Sequence, residues 1–531
     1  MKLKNLTLAD KLSWILFVIV FAVSAYLMIA PILNYNFPFT MDQARDMLDI
    51  REIVVGLHPT LIGPTTSING VFLGPFYYYF NVIPFAVSGG DPAALVYWNI
   101  LWYMIAAGAI LYFNYKENKV FGFLTSIIFL MAPAFFYSAR FFWSANPMPY
   151  LTTFYLLSLI YFVIKRNYKS SFLVGLIAGL SMQFESAFGV LFFPFLIIYS
   201  LIRRVSIKKI AASFLGFGVT LLPQALFELR HGFVMTKTFV NELSGESQIL
   251  GEKLMFGEAQ INHFKSFIGY TNEIFALSAE VSILLIVIAI LFLIFRYKKL
   301  SKINKEFFLS STIFIVFAFV FYSWYLHPLK GWYLLGIRVP MIFILGLFLT
   351  EVFNLKNIAF KILVLGFVIY SFSMTYMFQV TFVPKSTDRS GDKSNLRNEI
   401  EAIDWVYQKA NGAGFKAYNY IPSVYDFPYQ YLYWWHGTKK YGYQPEVVTY
   451  LDNVPEYIKE NDKFFTKKKP TGDDPLIFMI YEKDESVERL NAWLGSFTKY
   501  CGVEKQEFKW DATVELRKMC ATDNTVQNEN P

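Results

Sequence analysis

Eleven mostly apolar stretches dominate the first 380 positions, at about 12–34, 93–114, 120–137, 148–164, 171–185, 187–202, 209–228, 278–295, 307–326, 332–352 and 358–378. A helix needs roughly 20 such residues to cross the hydrocarbon core of a bilayer. Only helices and closed barrels satisfy their own backbone there. A chain with so many of these stretches is therefore expected to fold in a membrane. Charged residues make up 17% of it, against about 25% in soluble domains, which argues against a soluble enzyme and against disorder. The first stretch is too long, and too polar at its far end, for a cleaved signal peptide, and no A-x-A site follows it. We read it as a retained span.

Charge in the loops orients the chain. Residues 380–531 hold 20 Lys/Arg and 23 Asp/Glu, so the net charge of +8 comes from the first 379. With eleven crossings, Lys2, Lys4, Lys11 and the loops carrying Lys116/Lys119, Lys165/Arg166/Lys169, Arg203–Lys209, Arg296–Lys305 and Lys356/Lys361 share one side. Basic loops face the cytoplasm, so this side is inside. Membrane topology accounts for the basic excess, and no nucleic-acid partner is expected. The apolar run 71–87 is read as a juxtamembrane or re-entrant element, because a crossing there would turn every later basic loop outward. Its Phe72, Phe76, Tyr77, Tyr78 and Tyr79 would lie at headgroup level.

The expected architecture is thus a polytopic α-helical membrane protein with a transmembrane domain over 1–379 and a soluble extracytoplasmic α+β domain over 380–531. In the latter, Asn395–Ala410 reads as helix, Leu476–Tyr481 as strand, and Thr522–Pro531 as a disordered end. Cys501 and Cys520, the only cysteines, lie on the oxidising side. There they are expected either to bridge a hairpin turning at Lys509–Ala512 or to pack as separate thiols. Two cysteines exclude a Cys-rich metal site, no three-ligand metal cluster is visible, and no cofactor is expected.

Chemistry concentrates in the first external loop, about 35–92. Thr40 followed by Gln43 is a capping-box pattern, so a helix starts there with Asp42 in its first turn, where the helix dipole favours negative charge. Asp42, Asp46 and Asp49 share a face, Arg45 lies between them, and Met41, Ala44, Leu48 and Ile53 are expected to lie on the membrane. An acidic face at the bilayer surface suits a general base acting on a lipid-borne substrate. It equally suits an amphipathic helix whose acids merely meet water. Asp42 and Asp46 could share a divalent cation, a weak signal at that spacing.

The segment Gly63-Pro64-Thr65-Thr66-Ser67-Ile68-Asn69-Gly70-Val71-Phe72-Leu73-Gly74-Pro75-Phe76-Tyr77-Tyr78-Tyr79 follows. Together with Asp42-Gln43-Ala44-Arg45, Ser138–Pro147, Pro223–Leu229 and Tyr333–Pro340, it resembles the GT-C membrane glycosyltransferases. The resemblance is to their bacterial branch, whose relatives are the protein O-mannosyltransferases and the aminoarabinose transferases, grouped as glycosyltransferase family 39. The resemblance spans roughly 10–350. It implies a sugar donor on a polyprenyl phosphate, an extracytoplasmic hydroxyl acceptor on a glycan, lipid or protein, and Asp42 as catalytic base. Many relatives carry Glu where Gln43 stands, and the aminoarabinose branch carries a Lys where Gly74 stands. Phosphate binding is then expected of another cation. Arg338, inside the tenth stretch where a charge costs roughly 2.5–3.5 kcal/mol on insertion scales, is the first candidate, and Arg140 the second. Each also fits a plain structural role, as an ion-paired or interface arginine.

Asp46, Arg45, Tyr77, Tyr78, Glu185, His231 and His327 complete the expected donor and acceptor pocket. Glu185 equally fits a hairpin turn, and either histidine an interface position. The alternative function is a transporter or lipid-linked sugar flippase. Such folds show paired repeats and broken spans in matching positions, and neither is visible. The protein is expected in the plasma (inner) membrane, N-terminus inside and C-terminal domain outside.

Overall fold

The computed structural model describes residues 8–68, 70–244, 253–271, 274–275, 277–383, 385–388, 390–422, 425–452, 467–469 and 475–520. It has two compact units. One comprises Met1–Ala30, Thr60–Ile83 and Leu95–Val383, and the other Pro31–Pro59, Pro84–Ala94 and Pro384–Pro531. The chain therefore does not divide at a single point near residue 379. Two pieces of the first loop are built into the unit that carries the C-terminal segment.

The first unit is helical at all eleven apolar stretches. Among the described residues, eight helices are long and apolar enough to cross a membrane, from Lys11–Tyr35 to Ile358–Phe382. Lys119–Met131 and Pro133–Arg140 make a ninth if the pair, bent by 60°, is one span. The bend falls at Pro133, which lacks the N–H that a continuous helix needs. Tyr168–Phe184 has 17 residues, about 26 Å of helix, and Ser186–Ile202 is a shorter apolar helix. Length and composition thus support eight or nine crossings, and eleven is not established. The Phe76–Ser88 helix has 13 residues, about 20 Å, short of the roughly 30 Å core.

Helices Tyr168–Phe184 and Ile207–Arg230 pack backbone to backbone. A Cβ at Gly175 would strike the Ser213 backbone, and one at Gly216 the Phe172 backbone. Small residues permit such approach where lipid supplies no hydrophobic drive.

The second unit is built on a five-stranded mixed sheet in the order Val447–Thr449, Phe415–Tyr420, Leu476–Glu482, Ala512–Met519, Tyr500–Phe508. Phe415–Tyr420 runs parallel to both neighbours, and the last two strands form an antiparallel hairpin. Leu396–Ala410 is capped by Asn395, whose side chain accepts from the Arg397 N–H. Its apolar stripe of Leu396, Ala402, Ile403, Val406 and Ala410 is buried.

Cys501 and Cys520 are bridged, with their Cα atoms 5.0 Å apart. The bridge closes the hairpin where Tyr500 faces Met519. Reduction is expected to lower the unfolding free energy of this unit by about 3 kcal/mol in the chain-entropy model. Denaturant titration of the full chain with and without reductant reads the loss. An unchanged midpoint would refute it, as would two freely alkylated thiols in protein isolated without reductant. Thr522–Pro531 lies outside the described residues.

Candidate active site

The helix Met41–Val54 begins as its cap signal requires. Gln43 Oε1 accepts from the Thr40 N–H at 2.7 Å and from the Thr40 hydroxyl at 2.8 Å. Gln43, standing where relatives carry Glu, is buried and used by the helix start. Asp42 sits in the first turn with its side chain 41% exposed, 2.9 Å from Arg45 Nη1. The same guanidinium donates to Asp46 Oδ1 from Nε at 3.1 Å and from Nη2 at 2.8 Å. Burial pushes the Asp46 carboxyl up to about 7 against the opposing pull of Arg45. Arg45 therefore ties a buried acid to a reachable one and holds Asp42 in place.

The rest of this helix departs from the expectation of an interfacial element. Ala44 and Leu48 are buried inside the second unit, not laid on a membrane. Arg51 is buried as well, its guanidinium 5.5 Å from the Trp434 ring centre and paired with Glu52. The reason lies in the aromatic segment Phe427–Gly437. Tyr431 packs on Phe39 at 5.8 Å, and Trp435 on Tyr35 at 5.8 Å. These rings offer the helix a protein surface to bury its apolar side.

Asp42 lines a cavity of about 350 Å³. Its polar wall holds Thr40, Lys393, Ser394, Glu399 and Glu482, and its apolar wall Met41, Ile421, Pro422 and Pro428. Glu399 is 1% and Glu482 4% exposed. Burial pushes Glu482 up to about 7, and Glu399 well above its ordinary range, helped by the charge of Glu482. The sequence reading missed both. One signal existed: Glu399 falls three and four positions before Ala402 and Ile403, on the apolar stripe of its helix.

The other sequence-derived candidates lie in the first unit. Arg338 opens the helix Arg338–Phe353, is 2% exposed, and lies 4.2 Å from the Tyr270 ring centre. Arg140 donates from Nε to the Phe136 carbonyl at 2.9 Å and from Nη2 to Gln379 at 3.0 Å. Its buried Nη1 has no hydrogen-bond partner among the described residues.

Tyr77 and Tyr78 are buried within the protein and do not face outward as interface anchors, with Tyr77 packed on Phe184 at 5.7 Å. They are drawn in by the loop before them. Gly74 abuts the Gln183 side chain, where a Cβ would collide, and Gln183 accepts from the Phe76 N–H at 3.0 Å. Glu185 caps a short helix by accepting from the Ala187 N–H at 3.0 Å. Tyr322 binds that tip to the segment before Arg338, its hydroxyl donating to the carbonyls of Ala187 (2.7 Å) and Tyr333 (3.1 Å). His231 is exposed, with Nδ1 2.8 Å from the Phe227 carbonyl oxygen. The His327 carbonyl lies 3.0 Å from His263 Nε2. Among the described residues, no group of three or more His, Cys, Asp or Glu is placed to hold a metal ion.

Long apolar helices followed in sequence by a small mixed sheet are the architecture of the GT-C membrane glycosyltransferases, and this chain is an integral membrane protein of that fold. Among solved structures it is similar to ArnT from Cupriavidus metallidurans bound to undecaprenyl phosphate, with a TM-score of 0.57 at 13% identity over 94% of this chain and 97% of that one. Weaker likenesses join it to the Archaeoglobus fulgidus oligosaccharyltransferase in complex with zinc and sulfate and to the mycobacterial arabinofuranosyltransferase AftD. The first has a TM-score of 0.49 at 11% identity, over 92% of this chain and 71% of that one. The second has 0.42 at 12%, over 96% of this chain and 40% of that one. At these identities the likeness is one of fold. No protein-family model matches the sequence, and no curated protein matches it.

Proposed function

We propose that this protein transfers one sugar from a polyprenyl-phosphate carrier to a hydroxyl acceptor on the extracytoplasmic side of the membrane. The acceptor oxygen attacks the anomeric carbon while the bond from that carbon to the phosphate oxygen breaks. Asp42 takes the acceptor's proton, and polyprenyl phosphate leaves. A single displacement of this kind inverts the anomeric centre. The leaving group is already a phosphate, so a cation to stabilise its developing charge suffices in place of a separate acid. Arg338, with Arg140 second, is assigned that task.

The observation that carries this reading is Asp42 itself. It is a carboxylate in a capped first turn, held by Arg45, still 41% exposed, and facing a ligand-sized cavity. The fold supports it, since the similar ArnT structure holds undecaprenyl phosphate. Purified protein given polyprenyl-phosphate sugars and a panel of acceptors should release free polyprenyl phosphate and form a glycosylated product. Movement of the intact lipid-linked sugar across a vesicle membrane without cleavage would point to a flippase instead.

The reading also requires the second unit to face outward. With cysteines introduced singly, Ser88→Cys and Lys439→Cys are expected to react with an impermeant maleimide in intact cells, and Lys299→Cys only after permeabilisation. Labelling of Lys439→Cys only after permeabilisation would invert the topology. The Cys501–Cys520 bridge agrees with an oxidising side.

A further inference from the structure

The cavity beside Asp42 has a chemical character that says what the acceptor is; this inference rests on the transferase reading above. Its inner wall carries two acids that water hardly reaches, Glu399 and Glu482. Glu482 Oε1 accepts from the Tyr429 hydroxyl at 3.1 Å. Glu399 Oε2 is buried and has no hydrogen-bond partner among the described residues. A buried polar atom left unsatisfied in a folded protein needs an explanation, and a bound ligand is one. Lys393, the cation of the wall, gives its ammonium to the Lys483 carbonyl at 2.7 Å.

Three ligand classes can be weighed against this wall. A phosphate or other anion would find one cation in the wall, Lys393, whose ammonium already donates to the Lys483 carbonyl, and would lie beside Asp42. A divalent cation lacks a ligand set, since no group of three acids or histidines among the described residues is placed to hold one. A neutral ring bearing hydroxyls fits. Burial raises both carboxyls, Glu482 to about 7 and Glu399 well above its ordinary range, and a carboxyl in its protonated form offers both an O–H and a carbonyl oxygen. A sugar hydroxyl is likewise donor and acceptor at once. The apolar wall suits the C–H face of such a ring. The volume, about 350 Å³, is at the small end of the roughly 300–1,000 Å³ of ligand sites.

We propose that this cavity is the acceptor subsite and takes a single sugar ring, with Glu399 and Glu482 holding its hydroxyls and Asp42 meeting the one that attacks. The acceptor is then the sugar of a glycan or glycolipid, and not a serine or threonine of a protein.

The test uses full-length protein in detergent and two readouts. One is equilibrium binding of a panel of radiolabelled methyl hexosides, methyl pentosides and disaccharides, with a serine- and threonine-containing peptide as comparison. The other is the acceptor KM in the turnover assay. Glu399→Leu removes the carboxyl, and Ser394→Trp puts bulk into the cavity while leaving Glu399 and Glu482 unsubstituted. At least one sugar of the panel should bind and the peptide should not. Each substitution should weaken that binding, and raise the acceptor KM, at least about tenfold, with the affinity for the lipid-linked donor unchanged. Ser394→Trp keeps the test decisive if Glu399→Leu fails to fold. The subsite is refuted if no sugar binds, if neither variant changes binding or KM, or if the peptide is the better acceptor. Sugar binding that weakens in both variants of a protein with no transfer activity leaves the subsite standing and removes the transferase reading. Transfer with an unaltered acceptor KM does the reverse.

Discussion

Replacing Asp42 with Asn is expected to lower turnover at least about 10²-fold while leaving the lipid-linked donor bound as before. The amide keeps the shape of the side chain, and its oxygen can still accept from Arg45 Nη1, now 2.9 Å from Asp42 Oδ1. What it loses is the capacity to take a proton. The helix start does not depend on Asp42, because Gln43 and Thr40 make the cap, so the variant should fold. Single-turnover measurements on purified protein separate the chemical step from binding and release. Asp46→Asn is the instructive companion. Asp46 is buried and is tied to Asp42 through Arg45, so its loss should slow turnover less than Asp42→Asn does. Near wild-type turnover in Asp42→Asn would remove the base assignment and leave the fold untouched.

Replacing Arg338 with Ala is expected to weaken donor binding at least about 30-fold, roughly the 2 kcal/mol lower bound for truncating one side of a buried charge pair. Arg338 is 2% exposed at the first position of its helix, where intramembrane charge is kept for function more often than for stability. Arg338→Lys keeps the charge but loses the planar fork that grips a phosphate with two parallel hydrogen bonds. Its donor affinity should fall between wild type and Ala. That intermediate distinguishes phosphate binding from mere packing on Tyr270, since a guanidinium stacked 4.2 Å from a ring centre could be lost without any effect on the donor. If Arg338→Ala binds the donor as tightly as wild type, the task passes to Arg140, whose buried Nη1 still has hydrogen-bonding capacity to offer.

Much of this molecule was legible locally. The apolar stretches became helices, because a run of lipid-compatible residues has no other way to satisfy its backbone. The Thr40/Gln43 signal became a helix start, because a cap joins residues three positions apart, and the stretch read as helix from Asn395 became Leu396–Ala410. The hairpin turned at Lys509–Asp511 with the cysteines at its open end. The candidate site was legible only in part. Asp42, Arg45 and Asp46 are neighbours on one helix and could be read together. Glu399 and Glu482 could not be joined to Asp42, since they lie more than 350 positions away along the chain.

The sequence by itself therefore determined that this is a membrane protein, that its apolar stretches are helical, and which acid stands at the exposed end of a capped helix. Only the tertiary structure decided that this helix buries Ala44 and Leu48 against protein instead of lipid, and that Tyr77 and Tyr78 turn inward. It also decided that acids from the C-terminal segment complete the wall beside Asp42. The tie is visible in Asn395 Nδ2, which donates to Asn36 Oδ1 at 3.1 Å across a separation of 359 positions. The physical reason is that the hydrophobic effect has no direction. An apolar face in a sequence demands burial but does not name its partner, and a bilayer and an aromatic protein surface answer that demand equally well until the chain is folded.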